Sequence, residues 1–274
     1  MGMILETVKQ GKPVPVPVID THTHLGDCSI SGLHQGITKA AEVVADMEKI
    51  GINAICTSPI IMEYGDQTAS NEMTCQLLKE FPGKIYGNLL VAPHDGIEAA
   101  KKTVDTYSKV DGFVAMKFLT YYHGLPTRPE YEYAIAFAQE AQCPLTFHIY
   151  SPKMEGMQAV VKILEKYPRL KLILAHQGGG HKAETEFFLK VMKDYPNLYL
   201  DTCGSIANAM SIWDMAKEAG EDRLVYGSDI LYMEPRYELG KIIFSGMPES
   251  LMKKILAENY LKLLEGSQLS KIKL

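Results

Sequence analysis

The sequence predicts an α/β fold, a single (β/α)8 TIM barrel over residues 1–274, on three observations. Eight short β-rich runs recur along the chain and amphipathic helical stretches separate them. The last four run ends, near residues 148, 176, 202 and 229, recur at a spacing of one strand plus one helix, the unit from which barrels and doubly wound sheets are both built. Several runs, such as IYGNLLVA, LKLILA and RLVYG, are almost wholly apolar, as strands covered on both faces by helices must be.

Strands are expected at Val16–Asp20, Asn53–Thr57, Ile85–Val91, Gly112–Phe118, Leu145–Ile149, Leu170–Ala175, Leu198–Asp201 and Leu224–Tyr226. Between them ITKAAEVVADMEKIG ends at Gly51 and YEYAIAFAQEAQ precedes Cys143-Pro144, with apolar residues three and four apart and Gly or Pro at the exits. No low-complexity linker interrupts the series, so one domain is expected. The closing stretch ESLMKKILAENYLKLLEG is strongly periodic and is expected to pack as a helix on the outside of the barrel.

Composition bounds the function. With 46% apolar and 22% charged residues over 274 positions, the chain is long enough to bury a large core without staples. The net charge of −5 comes from mixed acids and bases, which excludes the basic footprint of a nucleic-acid binder. Five cysteines, Cys28, Cys56, Cys75, Cys143 and Cys203, include no CxxC pair and suit a reducing cytoplasm. The start MGMILETVKQGKPVPVPVID reads as neither signal peptide nor anchor, and no run approaches a membrane span.

Position along the strands carries the chemistry. His22 and His24 in VIDTHTHLG, His148 in PLTFHIY, His176 in LILAHQGGG and Asp229 in RLVYGSDI all fall at strand ends, which in a barrel converge on the face where active sites are built. His22 and His24 are two apart and leave the same face of an extended chain, so both imidazoles can grip one ion. Imidazoles with a carboxylate suit zinc, and manganese, iron or nickel on ligand type alone. A lone HxH is weak, since nearby histidines also arise by chance or cap turns; five suitable residues at equivalent points of a repeat are not explained that way.

Other features are read against bland alternatives. His34 and His94 fall in loops, His181 opens a helix, and His123 is expected on a surface loop. Lys117 near the fourth strand end is read as a partner for a substrate anion or a structural cation, with a carboxylated bridging ligand as the third option. Gly178–Gly180 is expected to be a tight turn, because no GxGxxG or GxxxxGK[ST] pattern accompanies it; a doubly wound nucleotide-binding fold is disfavoured on the same ground.

These motifs resemble the amidohydrolase superfamily, and within it amidohydrolase family 2, which includes amino-carboxymuconate-semialdehyde decarboxylase and related lyases and hydrolases. IDTHTHLG, GFVAMKFL, FHIY, ILAHQGGG, YGSD and ILAENYLKLL carry the resemblance over most of the chain. It implies a divalent metal held by His22, His24, His148 and Asp229, with His176 as an acid or base beside it. Many members of this branch are mononuclear, so Lys117 need not be a ligand. Nucleases that also open on HxH usually place a glutamate where this chain has Met116-Lys117, which lowers that reading.

The expected function is therefore a metal-dependent hydrolase in which Asp229 and His176 serve a metal-activated water. Its substrate is expected to be a small, carboxylate-bearing amide, ester or lactone. Non-oxidative decarboxylation of an aromatic or unsaturated acid is the alternative, and an inactive binding barrel the rival from another class. Tyr121, Tyr122, Tyr150, Met62, Tyr64, Tyr232 and Met233 are candidate wall residues, and Arg128 or Arg236 would bind a substrate carboxylate. Small-molecule binding, no nucleic acid, no membrane and a homo-oligomer as an option complete the expectations.

Overall fold

The computed structural model describes residues 2–26, 39–149, 154–204 and 207–274. Eight parallel strands follow one another around a ring in sequence order: β1 Ile19–Thr23, β2 Ala54–Thr57, β3 Ile85–Leu90, β4 Phe113–Phe118, β5 Leu145–Phe147, β6 Leu172–Leu174, β7 Leu198–Asp201 and β8 Leu224–Val225. The β8–β1 seam is joined by Thr21 N–H donating to Tyr226 O at 3.0 Å, Asp229 N–H donating to His22 O at 2.8 Å, and a parallel bridge between Thr23 and Ile230. The fold is the expected TIM barrel, with helices outside the ring.

Seven of the eight strands fall within the apolar runs that predicted them, and β1 is displaced. It starts at Ile19 rather than Val16, because Pro13, Pro15 and Pro17 have no N–H to give a ladder. Val18 N–H instead donates to the Asn53 side chain at 2.8 Å. The displacement carries His22 into the strand and His24 to its exit.

Helices obey their local signals. Ala40–Ile50 ends on Gly51 at φ 95°, a left-handed cap that glycine adopts without steric cost. Ala209–Ala219 begins with a capping box in which Asn208 and Ser211 bond each other's backbone. Among the described residues no helix is long and apolar enough to cross a membrane. Cys56, Cys75, Cys143 and Cys203 are free thiols, and Cys28 lies outside the described residues.

The C-terminal stretch departs from expectation. It runs as Glu249–Lys253, a π-turn Lys254–Glu258 and Asn259–Leu263. Tyr260, Leu263 and Leu264 join one buried cluster with Ile19, Ala54, Tyr86, Ala115, Ile173 and Val225. A helix that meets side chains from six strands of a ring lies across its end, not on its flank. Ile19, Ile173 and Val225 precede His22, His176 and Asp229 on or just after the same strands, so this plug closes the N-terminal mouth and leaves the C-terminal mouth for chemistry.

Candidate metal centre

β1 supplies two imidazoles whose tautomers are set by their neighbours. His24 donates Nδ1–H to the Ser58 carbonyl at 2.8 Å, and His22 presents Nδ1 to Asp201 Oδ2 at 2.8 Å. Both Nε2 atoms are thereby left as acceptors, the arrangement that orients metal-binding histidines. Asp229 follows β8 and sets Oδ1 3.1 Å from His24 Nε2 and 3.5 Å from His22 Nε2. Asp229 Oδ1 and His24 Nε2 face each other in a buried site where neither has a hydrogen-bond partner among the described residues, and a cation between them would satisfy both.

β5 and β6 bring the other two histidines. The rings of His148 and His176 are 4.5 Å apart, and that of His22 is 5.2 Å from His176 and 6.3 Å from His148. Ligand atoms of His22, His24 and Asp229 lie within 4.8 Å of one another, as do those of His22, His148 and His176. His22 is common to both groups; His148 is gathered with His176 rather than with His24 and Asp229. His24 Nε2, His148 Nδ1, His176 Nε2 and Asp229 Oδ1 are all buried without a hydrogen-bond partner among the described residues. Orphaned polar atoms are costly unless something fills them, and a divalent cation fits this donor set.

Two of these residues hold strained backbones. His176 has φ 55° and Asp229 φ 60°, left-handed conformations uncommon outside glycine that cost on the order of 1 kcal/mol or more. Hydrogen bonds hold them there: His176 N–H donates to Asp201 Oδ1 at 2.8 Å, and Asp229 N–H to His22 O. Asp201 was not among the residues the sequence singled out. One buried carboxylate at the end of β7 holds the ring of His22 and the backbone of His176, and it also accepts from the Cys203 thiol at 3.1 Å. Asp201→Asn is expected to weaken metal affinity by roughly 10- to 100-fold while the barrel stays folded; an unchanged dissociation constant in a chelator competition would remove Asp201 from that role.

Electrostatics prepare the histidines. Burial pushes His22, His148 and His176 below the ordinary histidine value of 6.5, and nearby Lys117 adds to the effect. Burial alone would raise Asp229, but His176, His24 and His22 together outweigh it and hold the carboxyl at about 2. Protons compete with a cation for imidazole, and a lowered pKa moves that competition to lower pH. Protein loaded at pH 8 is therefore expected to keep its metal through the free-histidine value of 6.5 and to release it only in more acidic buffer. Elemental analysis across a dialysis series reads this directly, and release centred at or above 6.5 contradicts it.

Above the centre lies a cavity of about 280 Å³ whose wall includes Met62, Glu63, Leu119, Tyr121, Tyr122, His148, His176, Asp229, Tyr232 and Met233. Of the four candidate substrate residues, Tyr121 is in this wall. Tyr150 lies outside the described residues. Arg128 is not in the wall: its guanidinium pairs with Glu130 at 3.0 Å on the surface, and Arg236 is likewise taken by Asp46 and Glu234. Lys117 is buried and is not in the wall; its ammonium lies 2.9 Å from His22 Nε2.

Other expectations resolve as follows. His123 is buried, not on a surface loop; it packs against His94 at 4.8 Å and bonds the Glu63 carbonyl at 3.2 Å. His94 is exposed, His181 caps Lys182–Val191, and His34 lies outside the described residues. Gly178 and Gly180 spend their N–H groups on Ala175 O and His176 O, as a tight turn does.

The amidohydrolase family matches residues 19–265 of the chain. Among solved structures, 5-carboxyvanillate decarboxylase from Sphingomonas paucimobilis is similar at TM-score 0.70 and 13% identity, over 91% of this chain and 99% of that one. A dihydroxybenzoic acid decarboxylase from Polaromonas sp. JS666, with bound manganese, aligns at TM-score 0.69 and 15% identity, covering 91% and 97%. An uncharacterised TIM-barrel protein from Bordetella bronchiseptica aligns at TM-score 0.72 and 14% identity, covering 92% and 99%. At these identities the likeness is one of fold.

Proposed function

The chain belongs to the amidohydrolase family, and from that premise we propose a divalent-metal-dependent hydrolase of a small, planar molecule, with His22, His24, His148 and Asp229 holding the ion. The observation that carries this reading is the Asp229 carboxylate, held ionised, with Oδ1 3.1 Å from His24 Nε2 and 3.5 Å from His22 Nε2 and in the cavity wall. It can serve an ion on one side and a proton transfer on the other.

A bound divalent ion supplies Lewis acidity and lowers the pKa of water. Asp229 accepts the proton of the attacking water and returns it to the leaving group. His176, also in the wall and with Nε2 unpartnered among the described residues, hydrogen-bonds the oxygen on which charge develops. A cavity of about 280 Å³ admits a substrate of roughly one ring. Three imidazoles and one carboxylate suit zinc, and manganese fits the same donors. Free thiols fit a reducing compartment such as the cytoplasm.

A second reading, non-oxidative decarboxylation of an aromatic acid, draws support from the tyrosine-lined cavity and the decarboxylases among similar folds. Metal-loaded protein assayed on aryl esters, lactones, amides and aromatic carboxylates separates the two. Acid release without carbon dioxide is the expected result. Carbon dioxide release replaces hydrolase with lyase, and no turnover of any member sinks both.

A further inference from the structure

The cavity has an acidic end that neither metal binding nor proton transfer uses. Glu63 stands in its wall on the turn Ile60–Tyr64, which follows β2. Its carboxylate accepts from the hydroxyl of Tyr232, from the segment after β8, and acts electrostatically on Tyr122, from the helical turn Thr120–His123 after β4. Its main-chain carbonyl accepts from His123 Nε2 at 3.2 Å. Segments following three strands thus converge on one side chain, and Tyr232 stacks edge-on to His24 at 5.6 Å, between Glu63 and the metal ligands.

A carboxylate has about four acceptor directions, and the Tyr232 phenol leaves room for another donor. Burial and the carboxylate itself raise both phenols, so they stay protonated and Tyr232 keeps donating. Among the described residues of the wall there is no lysine or arginine to offset the Glu63 charge. An anionic group brought here would meet an uncompensated like charge. A hydroxyl or amino group would gain a charge-assisted hydrogen bond. Met62, Leu119 and Tyr121 line the same cavity and offer a surface for an apolar ring.

We propose that Glu63 is a specificity-determining residue, and that the substrate carries its reacting acyl or carboxyl group at the metal end and a hydrogen-bond donor, hydroxyl or amino, at the opposite end of a planar body. This rests on the metal-centre reading but not on which bond is cleaved. Substrates bearing a second anionic group at the far end are selected against.

The test uses metal-loaded full-length protein with 4-aminobenzoate and terephthalate as probes, binding being followed by calorimetry in wild type, Glu63→Gln and Tyr232→Phe. Wild type is expected to prefer 4-aminobenzoate by about tenfold or more, the scale of one charge-assisted contact. Glu63→Gln should narrow the ratio to within about threefold, chiefly by tightening terephthalate, because the like charge is gone. Tyr232→Phe should keep the preference, since the carboxylate remains. A ratio unchanged in Glu63→Gln, no preference in wild type, or no binding of either probe overturns the proposal. Metal content measured in the same samples tests the metal centre separately: a metal-free wild type refutes that reading whatever the ratio.

Discussion

Alanine at His22 or at Asp229 is expected to empty the site of metal and to lower kcat/KM by about 10³-fold or more, or roughly 4 kcal/mol of transition-state stabilisation. His22 is the side chain shared by both ligand groups, and Asp229 is both a donor and the proposed proton acceptor. Removing either takes away one of the four proposed donors and opens its position to water, which weakens the hold on the ion. Because both are buried, Asp229→Asn and His22→Gln serve as conservative partners, and far-ultraviolet circular dichroism separates loss of metal from loss of fold. Full metal stoichiometry by elemental analysis in both alanine variants would place the ion elsewhere and remove the proposed centre.

That centre was visible in the sequence because its parts follow apolar runs. Fully buried parallel strands leave a strong signal, and a histidine or aspartate ending one is conspicuous; hence His22, His24, His148, His176 and Asp229 could be named from spacing alone. The start of β1 was misplaced because the β-rich lettering of VPVPV hides three residues that cannot join a ladder. Asp201 ends β7 as inconspicuously as an N-cap aspartate would, and its role exists only through His22 and His176, 179 and 25 residues away.

Charges on loops were the least legible. Arg128 looked available because a local partner, Glu130, reads as an ordinary surface acid, and Arg236 because Asp46 is 190 residues distant in sequence. Glu63 was passed over although Met62 and Tyr64 on either side were weighed; nothing in IIMEYG tells which of three neighbours faces a cavity. Lys117 was recognised as unusual, yet its partner is a ring nitrogen of His22, 95 residues upstream. In each case pairing across the ring, not local pattern, decides what the charge does.

The geometry also joins strain to function. His176 and Asp229 both occupy left-handed backbone, and both are held there by hydrogen bonds to elements next to them in the ring. Such conformations persist where the surroundings over-determine them. Here Asp201 grips His176 by its backbone, which leaves the imidazole of His176 unencumbered by that contact. Cys203 Sγ, 3.5 Å from His176 Nδ1 and 3.2 Å from His22 Nδ1, fills the space between the two rings.

His176→Asn is expected to keep the metal and lose roughly 10²- to 10⁴-fold in kcat, the range of one acid–base or oxyanion group. Asparagine tolerates the left-handed backbone, and its N–H can still donate to Asp201, so the turn is expected to survive. What disappears is the ring nitrogen Nε2 in the cavity wall. The experiment also separates two roles that geometry permits, since His176 contributes to one of the ligand groups with His22 and His148. Retained metal with depressed kcat assigns it to proton transfer or charge stabilisation. Metal lost together with activity makes it a ligand, and near-normal kcat removes it from the mechanism.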